Sequence, residues 1–304
     1  MKNLIPLMQR EWLQHRFAWA LLMLVPLALA VLLLSVGQVE FDSDMAARTG
    51  PDMAAMLALL CVVISTAVIF LLTWITSLFI TSGLARRDHT DRSAEFWLSL
   101  PTGHAESFVA PLLVHLVLVP AVALLVGLAG GYALSLLVVA RFVGLGEWFG
   151  LPWASLLAAT LAIVARVMAG LPMATLWLSP LILLAVLSNA LFRRWGLPVL
   201  AVGLGLGSAV LQFVFGQPLL GRWLARLGSN AATALAGASG KGVLIDGQKD
   251  AAQALLALPG WAAHDLVAAT RALITSDLLG ALGVAGFLFY ALVLWRKRGA
   301  GMAG

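Results

Sequence analysis

The residues best suited to chemistry with an outside partner form one polar island, Arg86-Arg87-Asp88-His89-Thr90-Asp91-Arg92-Ser93-Ala94-Glu95-Phe96-Trp97-Leu98-Ser99-Leu100-Pro101, set between two long apolar runs. The chemistry of these side chains is recognition rather than bond-making. Charged groups steer a partner and fix its register, while aromatic groups supply contact energy. A charged turn from Arg86 to Arg92 leads into a short helix carrying Glu95, Phe96, Trp97 and Leu98. Pro101 forbids smooth continuation, and Thr102 is a good cap for the helix that follows. An interfacial helix anchored by Trp97 would use the same residues, and composition alone does not separate it from a docking helix.

The sequence holds no complete pattern for covalent chemistry. Gly240-Lys241 lacks the partners of a phosphate-binding loop, because Leu235 stands where Gly is needed and Gly242 where a hydroxyl is needed. Gly237-Ala238-Ser239-Gly240, with His264 downstream, matches the G-x-S-G around the serine of rhomboid-like proteases. That serine belongs on a membrane-embedded helix, whereas this one falls in a small-residue loop, so a flexible loop is the expectation. His15, His89, His104, His115 and His264 are scattered, with no histidine or carboxylate one helical turn away on an apolar span, and no metal site is expected. His115 lies within an apolar run, about eight residues from its start by the span lengths expected of a bilayer, so contact with interfacial water is favoured over a proton relay. Cys61, the single cysteine, is expected to be an inert thiol within an apolar run. Ser188 and Asn189 are expected to hydrogen-bond between helices.

The elements that must position the island are apolar helices. The chain has 304 residues, 62% hydrophobic and 11% charged, with a mean hydropathy of +0.98. A soluble domain carries roughly 25% charged residues, so the chain reads as a polytopic membrane protein. The formal charge of +5 is concentrated at the ends of apolar runs, which points to orientation in a membrane and away from nucleic acid.

Apolar runs set the expected layout: an amphipathic surface helix over residues 1–16, including Arg10, Glu11 and Trp12, then spans at about 17–39, 54–84, 108–140, 171–192, 196–216 and 277–295. Arg10 and Glu11 fall off the apolar stripe of the first helix and are expected to face water. Counting Lys and Arg does not choose between six and seven spans. The clusters Arg193-Arg194 and Arg296-Lys297-Arg298 do, since only six spans put both in the cytoplasm. Residues 86–106 are then cytoplasmic and 217–276 extracytoplasmic, with both termini inside. The run at 148–165 is left lying in the outer interface or dipping in before Gly170-Leu171-Pro172. No span carries a carboxylate in its interior, which disfavours ion coupling. Glycines four apart at Gly127/Gly131 and Gly203/Gly207 are expected to let backbones approach closely, within the bundle or across a dimer.

The segment Asp91-Arg92-Ser93-Ala94-Glu95-Phe96-Trp97-Leu98-Ser99-Leu100-Pro101 resembles the D-R-S-x-x-F-W-x-S-L-P cytoplasmic segment of permease subunits of type-2-family ABC transporters, in a branch common in Gram-negative bacteria. The order of an amphipathic start with Arg10-Glu11, a fourth run ending in Arg193-Arg194 and a basic tail is similar along nearly the whole chain. Only Asp91–Pro101 is specific, and the long segment Arg222–Asp277 is bulkier than the family pattern. The resemblance implies an all-α, six-span exporter permease in the bacterial inner membrane, paired with a second permease and seated on two copies of a separate ATPase. ATP and Mg would be bound by that ATPase, and this chain would hold no cofactor and no catalytic residue. Arg86, Arg87, Arg92 and Glu95 would steer docking, Phe96, Trp97 and Leu98 would anchor it, and Pro101 would end the coupling helix. The competing expectations are a stand-alone ion-coupled transporter or channel and, third, a membrane-embedded enzyme.

Overall fold

Long stretches of Leu, Ala, Val and Ile satisfy their own backbone hydrogen bonds only as helices when water is excluded, and helices are what the chain forms. The structure, a computed structural model, describes residues 4–37, 51–84, 104–240 and 251–301. Among them the order is α1 (Leu4–Val36), α2 (Pro51–Ser82), α3 (His104–Leu113), a π-turn (Val114–Leu118), α4 (Val119–Phe142), α5 (Leu145–Phe149), α6 (Trp153–Phe192), a 3-10 turn (Arg193–Trp195), α7 (Gly196–Phe213), α8 (Leu219–Leu235), α9 (Ala251–Ala272) and α10 (Ser276–Gly301). No strand occurs among the described residues. Five helical stretches are long and apolar enough to cross a membrane: 4–36, 53–82, 108–142, 153–213 and 276–295. Large side chains such as Leu21, Leu32, Phe79, Leu206 and Phe287 point outward, as lipid-facing helices require.

α6 is the hub. Its first turns pack Leu156 and Ala159 against Ala54 and Ala58 of α2 and Leu255 of α9. Its middle packs Ala174 and Trp177 against Leu227 and Ala231 of α8 and Ala281 of α10. Its last turns meet Phe108 of α3 and Leu288 of α10. The starts of α1 and α3 and the ends of α2, α6 and α10 therefore share one end of the bundle.

Two layout expectations change here. Residues 4–16 are no separate surface helix: α1 runs unbroken for 33 residues, about 50 Å. The run at 148–165 is no separate helix either, because most of it is the first part of the 40-residue α6, which continues through Pro172. The segment 217–276 contains two helices packed on α6. α6 ends where Arg193 takes a left-handed φ of 54°, which turns the chain into α7.

The pair Gly127/Gly131 lets two helices meet within the bundle, whereas Gly203/Gly207 makes no such contact within this chain. A Cβ on Gly127 or Gly131 would stand 2.6 Å from the Cα of Thr66 or Val62, so α2 and α4 touch backbone to backbone. Ser65 Oγ donates to the Gly127 carbonyl at 3.2 Å across the same seam. Gly203 and Gly205 face open space, and Gly207 meets only a side-chain tip of Leu220. Gly131→Leu should therefore force the helices apart at a cost of about 1–3 kcal/mol, read as a lower thermal midpoint in detergent. Gly205→Leu should leave that midpoint unchanged.

Candidate functional site

Arg86, Arg87, Arg92, Glu95, Phe96, Trp97, Leu98 and Pro101 lie outside the described residues, so their mounting is what can be built up. The island leaves from the end of α2 and re-enters at α3. Asn189 Nδ2 of α6 donates to the Ser82 carbonyl in the last turn of α2 at 3.0 Å, satisfying one of the acceptors a helix end leaves open. Beside it Ser188 Oγ donates to the Gly196 carbonyl at 2.7 Å, holding the α6–α7 turn. Both residues bond between elements, as their position in an apolar run suggested. The returning helix is clamped through Phe108 onto Leu183 and Val186. Both roots of the island are thus fixed to the same end of α6.

A second polar constellation sits deeper. Arg166 of α6 and Asp265 of α9 are both buried, with relative exposures of 2% and 0%. Arg166 Nε donates to Asp265 Oδ2 at 2.9 Å, Nη1 to the Ala234 carbonyl at 2.8 Å and Nη2 to the Thr233 carbonyl at 3.3 Å. Those carbonyls belong to the last turn of α8, where a cation complements the helix dipole. Asp265 in turn accepts from the Gly237 amide at 3.0 Å and the Ser239 amide at 2.7 Å. Gly237 and Gly240 take positive φ of 91° and 65°, which lets the loop fold over the carboxylate. Gly170 completes the fit, since a Cβ there would collide with the Ala234 carbonyl.

Burial raises the Asp265 carboxyl, but the Ser239 and Gly237 amides and the Arg166 guanidinium outweigh it and hold the group below the usual carboxylate range. All this is structural chemistry. The pair is neutralised and saturated with hydrogen bonds, and it ties α6, α8, α9 and the loop 237–240 together. The G-x-S-G loop, expected to be flexible, is tied to α9, because its amides cradle a carboxylate. Nothing in the sequence pairs Arg166 with Asp265, which lies 99 residues further along the chain.

A third group gathers at the α1–π-turn crossing. Glu11, expected to face water, is buried at 7% exposure, and His115 is fully buried rather than in contact with interfacial water. Glu11 Oε2 lies 3.5 Å from His115 Nε2. The His15 ring meets the His115 ring edge-on with centroids 5.5 Å apart, and Trp19 lies 5.8 Å from it. One donor atom from each of Glu11, His15 and His115 lies within 4.8 Å of the others. Arg10 and Trp12 are half-buried beside them, Trp12 against the Trp19 and Met23 cluster. Two of the five histidines, His15 and His115, therefore meet in space. The missed signal was Glu11–His15, one helical turn apart on the buried face of α1.

Between α3, α6 and α10 runs an apolar cleft of about 420 Å³, lined by residues that include Leu112, Leu116, Leu183, Ala285 and Phe289. Its two hydroxyls, Thr175 and Ser179, donate to carbonyls of their own helix. The cleft has room for hydrocarbon and no polar group with which to orient a reacting bond.

Comparison with family models, characterised proteins and solved structures returns no match for this chain.

Proposed function

We propose that the chain is the permease subunit of an ATP-driven ABC exporter, coupled to a separate ATPase through the helix at Arg92–Pro101. The observation that carries this reading is the Asp91–Pro101 motif, set in the chain between α2 and α3. α2 and α4 share the backbone contact at Gly127 and Gly131, and both roots of the island are tied to the end of α6. A push on the island would therefore reach the α2–α4 pair and α6 as rigid bodies, which is how nucleotide-driven closure switches a bundle.

In this reading the turn at Arg193–Trp195 divides the stretch 153–213 into two crossings, giving six. Both termini and the clusters Arg193-Arg194 and Arg296-Lys297-Arg298 lie in the cytoplasm. The membrane is the bacterial inner membrane. Two copies of the ATPase bind ATP and Mg, and a second permease, identical or related, completes the pathway. α8 and α9 form an extracytoplasmic cap over 217–276 on which an accessory protein can sit. The apolar cleft suits a lipid-like cargo or the dimer mate.

A stand-alone ion-coupled transporter is the second reading, favoured by the buried Glu11–His115 pair. Photo-crosslinking separates the two. A photoreactive residue at Phe96 or Trp97 should trap the ATPase encoded beside this chain in cells. Adducts to lipid alone would favour the interfacial anchor and the second reading.

A further inference from the structure

The geometry points to a binding site for a divalent transition-metal ion, Zn²⁺ by its donor set, formed by Glu11, His15 and His115. The inference is independent of the transport reading. Its strongest support is His115. The side chain is fully buried, and neither ring nitrogen has a hydrogen bond; the 3.5 Å approach to Glu11 is too long and misaligned to count as one. Leaving two imidazole nitrogens dry and unbonded costs free energy that a packed interior avoids unless something else meets them.

The backbone supplies a second sign. His115 sits on the π-turn Val114–Leu118, where three consecutive residues, Val114, His115 and Leu116, are buried. A single π-turn inside a long helix adds a residue to re-aim a side chain, and such turns occur frequently at functional sites. Here the re-aimed side chain meets Glu11 and His15, which lie one turn apart on α1 and share its buried face.

Two imidazoles and a carboxylate form a donor set of borderline softness, suited to Zn²⁺ and poorly suited to Mg²⁺ or Ca²⁺, which prefer oxygen alone. Metal bonds of about 2.0–2.1 Å place tetrahedral donors roughly 3.4 Å apart. The present separations, all within 4.8 Å, need only small rotations of side chains to reach that. A fourth position is left for water. The buried Trp19 indole N–H, next to His115 and itself without a hydrogen bond, is available to such a water. The bound ion would staple α1 to the helix that re-enters from the polar island.

The test uses the full chain, purified without a histidine tag and stripped with a chelator. Zn²⁺ should bind with a single equivalent per chain and raise the thermal midpoint, and Co²⁺ should give the visible bands of a four-coordinate site. His115→Gln and Glu11→Gln should each weaken binding by about 100-fold, while His264→Ala should leave it intact. If the variants do not fold, the wild-type measurements decide alone. A folded wild-type chain with no Zn²⁺-dependent shift, or equal binding by His115→Gln, would overturn the site.

Discussion

Arg166→Ala should be strongly destabilising. The change leaves Asp265 buried and uncompensated, and it strips two carbonyls at the end of α8 of their donors. Breaking a buried pair from one side costs about 3–5 kcal/mol, enough to lower the thermal midpoint in detergent by roughly 10 °C. Asp265→Ala should cost as much, because it also frees the Gly237 and Ser239 amides. The double variant Arg166→Met with Asp265→Leu should recover part of the loss, since no charge is then stranded. A double variant no better than either single one would show that the hydrogen bonds to α8 and the loop matter more than the charge.

The same pair sets a pH dependence. The folded Asp265 carboxyl is held below its ordinary value, chiefly by the Ser239 amide working against burial. Its stabilisation is therefore fully present above the unfolded value of about 3.9 and is lost as pH falls through the folded value. The thermal midpoint should owe nothing to this group's titration between neutrality and about pH 5. Below that the wild type should lose stability, while Asp265→Asn, already without the charge, should lack that part of the acid limb.

The second large effect is expected at the island. Replacing Phe96 and Trp97 together by Ala should abolish the complex with the ATPase while leaving membrane insertion intact, because no apolar run is touched. Aromatic anchors at an interface contribute about 2 kcal/mol or more each, so even one loss weakens binding by about 30-fold. Trp97→Phe should keep most of the affinity. Arg92→Glu should slow association and flatten its salt dependence rather than remove the anchor. Detergent extraction followed by co-purification reads each of these. Retention of the ATPase by the double alanine variant would assign Phe96 and Trp97 to the lipid interface.

How much of this was legible in the sequence depends on whether the deciding partner was near in the chain. Helices, apolar runs, the Gly127/Gly131 contact and the bonds of Ser188 and Asn189 follow from local composition and spacing. The continuity of α6 does not. Hydropathy cuts the run at Arg166 because it cannot see a carboxylate 99 residues later that neutralises the charge inside the fold. The loop at Gly237–Gly240 was readable as flexible for the same reason: the group it wraps lies on another helix. Glu11 and His15 were visible as a one-turn pair, but an off-stripe charge near a helix start normally faces water. Only the π-turn that re-aims His115 makes that face an interior. Gly203/Gly207 shows the limit of spacing alone: it permits a close approach, and within this chain only a side-chain tip of Leu220 comes near.

The central claim is that this chain is driven by an ATPase through the island at Arg92–Pro101. Its most direct test is ATP turnover by the chain co-expressed with the ATPase encoded beside it, purified together and placed in lipid. The account predicts a stable complex whose turnover depends on the permease and is uncoupled by Phe96→Ala with Trp97→Ala. Transport by the purified chain alone under a proton gradient, with no ATPase bound, would contradict it.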